Sequence, residues 1–73
     1  MDIPERIGRL TPSERTVLRL IAESMTTREI AELLALSERT VENRRCAIAQ
    51  KLDLGGTRGL ARFALEHRSG IRR

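Results

Sequence analysis

Apolar residues recur at helical spacing in four blocks along the chain, separated by short polar breaks. Val17, Leu18 and Ile21 share one side of a helix, as do Ile30, Leu33 and Leu34 with Ala31 beside them. Ile48 and Leu52 each fall within about 20° of Val41 at 100° per residue. Leu60, Phe63, Ala64 and Leu65 supply the last block. No segment alternates apolar and polar residues with the period of a half-buried strand. The pattern predicts an all-α fold.

Capping residues place the helix ends. Thr11-Pro12-Ser13-Glu14 reads as a capping box with proline at the first helical position, and opens a helix over about 12–23. Thr26 and Glu29 make a second box before a short helix over about 27–34. Ala35-Leu36-Ser37 is a tight connector in which Leu36 tucks under both neighbours and Ser37 caps a third helix over about 38–52. Gly55-Gly56 is a turn, after which Thr57 caps a fourth helix over about 58–67. His67 reads as its C-terminal cap. Residues 1–10 read as an N-terminal arm or a linker, with Ile3, Ile7 and Leu10 on one side, and 68–73 as a frayed basic tail.

With 73 residues the chain is one domain, too small for a catalytic cleft and its supporting shell. Phe63 is the only aromatic residue, so the core is aliphatic. The net charge of +4, with every basic residue but Lys51 an arginine, fits a polyanionic partner, though an arginine-rich proteome accounts for it equally well. The single Cys46 excludes an internal disulfide and fits a reducing, cytoplasmic setting. No apolar run approaches the ~20 residues of a membrane span, and the charged N-terminus is no signal peptide. One His and one Cys make no zinc set, and no nucleophile–base pair or phosphate-cradling glycine loop occurs, so neither enzyme chemistry nor a cofactor is expected.

The centre of the chain carries the function. Two helices joined by a three-residue turn make a helix-turn-helix when their facing side chains pack. Opposite the apolar stripe of the third helix lie Arg39, Asn43, Cys46 and Gln50, flanked by Glu42 and Ala47. That face is either a recognition surface or an ordinary solvated face.

Leu10-Thr11-Pro12-Ser13-Glu14-Arg15, Val17-Leu18, Ile30-Ala31-Glu32-Leu33-Leu34, Ser37 through Asn43 and Lys51-Leu52 together resemble the LuxR/GerE/FixJ-type DNA-binding domain. The resemblance runs from about residue 10 to residue 67, nearly the whole chain, and includes the predicted four-helix unit at 11–67. It implies a bacterial transcription regulator, or the effector domain of one, binding double-stranded DNA with its third helix in the major groove. It further implies a homodimer through the fourth helix, at Arg58, Ala61, Arg62 and Leu65, and an upstream receiver or sensor domain in many relatives.

Residue by residue, the resemblance puts Glu42, Asn43 and Cys46 at base-reading positions, with Arg39 on the same face. Asn43 suits adenine and Glu42 suits a cytosine amino group. Glu42 alternatively pairs with Arg39 or Arg45 on its own helix. Cys46 reads as a small neutral contact, although a thiol also admits a redox role. Phosphate contacts are assigned to Thr11, Ser37, Thr40, Arg44, Arg45 and Lys51, with Arg45 favoured over Arg44. Lys51 alternatively opposes the C-terminal helix dipole. Ser24 stands where the resemblance expects glycine, and Gly55, Gly56 and Gly59 replace bulkier residues. The competing reading is a protein-interaction module, in which Glu38 and Glu42 have turned the same scaffold towards a protein partner.

Overall fold

The structure, a computed structural model, describes residues 3–71. Met1 and Asp2 of the expected arm, and Arg72 and Arg73 of the expected tail, lie outside the described residues. The elements are α1 (Ile3–Gly8), α2 (Pro12–Ala22), α3 (Thr27–Leu34), α4 (Glu38–Lys51), a 3-10 turn (Thr57–Gly59), α5 (Leu60–Glu66) and α6 (Arg68–Ile71).

Both capping boxes form. Thr11 Oγ1 accepts from the Glu14 amide at 3.1 Å while Glu14 Oε1 accepts from the Thr11 amide at 2.8 Å, which starts α2. Thr26 and Glu29 repeat the pair at 3.1 and 2.8 Å to start α3. The helix ends share a geometry too. Ser24 (φ 67°), Ala35 (φ 56°) and Asp53 (φ 60°) all adopt the left-handed conformation just past a helix. Met25, Leu36 and Leu54 then donate their amides back to Leu20, Ala31 and Ala49, at 3.2, 2.9 and 2.9 Å. This closes orphan carbonyls and brings Met25, Leu36 and Leu54 down onto the core. None of these three residues is glycine, so each costs about 1 kcal/mol that packing must offset.

Helix α2 is the hub, packing on α4, α5 and α6, while α3 packs on α4. Val17 and Leu18 from α2, Ile30 from α3, Val41, Ile48 and Leu52 from α4 and its cap, and Leu60 from α5 are fully buried. Burying one such aliphatic side chain contributes about 1.5–3 kcal/mol.

The two ends differ from the sequence-based expectation. The arm or linker contains α1, and it is docked: Leu10 is buried, Ile7 packs on the core, and Arg6 Nη1 donates to the Leu52 carbonyl at 3.3 Å. A helix this short does not persist alone, so its order comes from that docking. At the other end Thr57 does not cap a helix. It lies inside the 3-10 turn, preceded by Gly55 at φ 74° and Gly56 at φ 153°, and α5 starts only at Leu60. Gly59 therefore sits in the turn and not in the fourth helix. Leu65 is exposed, not part of the apolar side. The frayed tail contains α6, whose Ile71 is buried.

Candidate nucleic-acid interface

Helix α4 is anchored by one face and free on the other. Val41, Ile48 and Leu52 are wholly inaccessible and Ala49 nearly so. Arg39, Glu42, Asn43, Cys46 and Gln50 are all exposed, so the residues expected to read bases form one continuous strip. Arg44 and Arg45 lie half-buried on its flanks. Arginine stems can cover apolar surface while the charged heads reach outward.

The N-terminus of α4 is held by two hydroxyls. Ser37 Oγ accepts the Thr40 amide at 3.0 Å and donates to Thr40 Oγ1 at 2.9 Å. Both hydroxyls stay at the helix start, where backbone amides and the helix dipole favour an anion. Glu42 binds neither Arg39 nor Arg45. Its Oε1 accepts from the Thr27 hydroxyl at 2.8 Å, across the turn from α3. Sequence reading missed Thr27, because a contact 15 residues apart between two elements leaves no local signature.

The residues assigned to phosphate divide into two groups. Ser37, Thr40, Arg44 and Arg45 border the strip. Thr11 and Lys51 belong to a network around Glu14, where Lys51 Nζ donates to Glu14 Oε1 at 2.7 Å. Glu14 is the one charged residue among the described residues that is buried. Burial pushes its carboxyl up, but the hydrogen bond from Lys51, those from Thr11 and the Lys51 charge outweigh this and hold it below the ordinary value. Glu14 is legible as a cap, but its grip on the end of α4 is not. Arg44 also reaches back to α2, where its guanidinium donates to Ser13 Oγ. Its Nε is buried with no hydrogen-bond partner among the described residues, so the group is not fully satisfied.

The residues expected at a dimer contact lie elsewhere. Arg58, Ala61, Arg62 and Leu65 are all exposed along the 3-10 turn and α5. Arg62 Nε pairs with Glu66 at 3.1 Å, and Leu65 is one of two large exposed apolar residues among the described residues, the other being Leu33 on α3. No helix among the described residues is long and apolar enough to cross a membrane.

Comparison with known proteins gives the chain's family. Residues 8–64 match the GerE family, described as bacterial regulatory proteins of the luxR family. The chain is 43% identical over 58 residues to the transcriptional regulatory protein MctR of Rhizobium johnstonii, covering 80% of this chain and 27% of that one. It is 44% identical over 58 residues to the uncharacterized response regulatory protein YgeK of Escherichia coli, covering 80% and 40%. It is 45% identical over 47 residues to the spore germination protein GerE of Bacillus subtilis, covering 64% of each. The chain thus spans well under half the length of the first two. No solved structure matches it.

Proposed function

The chain belongs to the luxR family of bacterial regulatory proteins, a family of DNA-binding transcription regulators, and from that premise we propose that it binds double-stranded DNA sequence-specifically through α4. The carrying observation is the asymmetry of that helix. Val41, Ile48 and Leu52 are sealed into the core, whereas Arg39, Glu42, Asn43 and Cys46 stand exposed in one strip. A helix of 14 residues is about 21 Å long and fits the major groove.

In this reading the strip meets base edges, and Ser37, Thr40, Arg44 and Arg45 meet phosphates and fix the register. Thr11 and Lys51 stay with the scaffold, since Glu14 already engages both. One such module makes few phosphate contacts, so useful affinity calls for two copies. Arg58, Ala61, Arg62 and Leu65 are the proposed homodimer contact, with Leu65 as its apolar centre. YgeK is named a response regulatory protein and is longer than this chain. By extension, a receiver or sensor domain upstream is the proposed partner that supplies the signal.

The test is selection from random duplex pools at two salt concentrations. An enriched motif is expected, two-fold symmetric if the chain dimerises on DNA. Affinity should drop roughly ten- to a hundredfold between about 50 and 200 mM salt. A folded chain that binds no duplex at low salt would sink this reading. The protein-interaction reading would then lead, favoured by Glu38 and Glu42 on the exposed side of α4.

A further inference from the structure

Thr27 opens α3 and Glu42 lies one turn into α4, and the hydrogen bond between them ties the carboxylate to a second rigid element. An exposed glutamate otherwise samples many rotamers and loses that freedom on binding. Held by Thr27, Glu42 is preorganised. It has no ion pair among the described residues, although arginines stand nearby on its own helix. Thr27 engages Oε1, which leaves Oε2 as an acceptor with no partner among the described residues.

An ionised carboxylate accepts hydrogen bonds and donates none. At major-groove base edges it can meet only an exocyclic amine, of cytosine N4 or adenine N6. In adenine the amine sits beside the N7 acceptor, which repels a carboxylate. Cytosine presents its amine with no neighbouring acceptor on its own edge. The phosphates repel Glu42 on every sequence, and only a well-placed amine compensates. The residue therefore selects as much by penalising wrong sites as by favouring the right one.

We infer that Glu42 selects cytosine in the target site and that Thr27 is the positioning residue that aims it. This rests on the proposal that α4 reads DNA. Thr27 opens α3 and lies outside the base-reading helix, so its effect on specificity must pass through Glu42.

The experiment is selection and sequencing from random duplex pools with the wild-type chain, E42Q, T27V and T27S, each first shown to be helical and folded. The wild-type motif should hold a position fixed as cytosine. E42Q should relax that position by about ten- to a hundredfold and admit adenine, which a glutamine amide pairs. T27V should blur the same position a few-fold and leave the others sharp, and T27S, which keeps the hydroxyl, should restore it. An E42Q motif unchanged from wild type, with affinity moved equally for all duplexes, overturns the role of Glu42. A T27V motif as sharp as wild type overturns that of Thr27. A folded wild-type chain that enriches no motif removes the DNA-reading premise, a failure distinct from either.

Discussion

The chain builds the same helix cap twice, at Thr11–Glu14 and at Thr26–Glu29. The paired hydrogen bonds have the same lengths at both sites, 2.8 and 3.1 Å. Their surroundings differ. Glu14 is buried and takes a third hydrogen bond, from Lys51 at the far end of α4. Glu29 is exposed, and its carboxyl is lowered by the Thr26 amide and hydroxyl. One box starts a helix. The other starts a helix and also ties the hub of the fold to the end of the candidate DNA-reading helix. A local motif therefore fixes local geometry, while the groups brought to it by the rest of the chain decide how much it matters.

Substituting the two glutamates breaks the comparison most directly. E14A removes the cap, the ion pair and buried volume together. It should cost about 2–3 kcal/mol, lowering Tm by roughly 10 °C or more in a domain of this size. E29A should cost clearly less in the same thermal melts, since it loses an exposed cap alone. Equal losses would mean that the Lys51 contact contributes nothing.

K51M isolates the tertiary part. It leaves the Glu14 carboxylate buried without its cation, discounted because Lys51 is itself partly exposed, and should cost about 1–2 kcal/mol at neutral pH. The pH dependence has a definite sign. Glu14 is held below the ordinary carboxylate value in the folded chain, so its contribution is fully present above that ordinary value. That contribution is lost as pH falls below the ordinary carboxylate value and through the lowered folded one, where the carboxyl takes up a proton. Denaturant titrations should therefore show the gap between wild type and K51M closing in acid. A gap that stays constant to low pH would rule out the ion pair as its source.

T11A and T26A sharpen the comparison from the other side. Each removes the same amide-to-hydroxyl bond, and each should cost about 1 kcal/mol, with the two values close together. The smallest effect belongs to the exposed Arg28–Glu32 pair at 3.5 Å, where E32Q should shift stability by no more than about 0.5 kcal/mol.

Where the signal was short-range, it was legible. The boxes at Thr11 and Thr26, the Ser37 cap and the Val41, Ile48 and Leu52 stripe predict α2, α3 and α4 to within a residue or so of their ends. The stripe also placed Arg39, Glu42, Asn43 and Cys46 on one exposed face. The ends of the chain were harder. Residues 3–8 contain few apolar positions, and what orders α1 is its docking, through Ile7 and Leu10 on the core and the Arg6 bond to the Leu52 carbonyl, 46 residues away in sequence. Thr57 resembles a cap in isolation, but Gly55 and Gly56 set a backbone that leads into a 3-10 turn first.

The sequence by itself determined the all-helical class, the helix-turn-helix and the polar strip on α4, because caps and the 3.6-residue period act between residues a few positions apart. Tertiary structure alone decided which polar groups meet across elements: Glu14 with Lys51, Glu42 with Thr27, Arg44 with Ser13 and Arg6 with the Leu52 carbonyl. Hydrogen bonds act only over about 3 Å, so a partner distant in sequence becomes known only once packing of the apolar stripes has fixed how the helices cross.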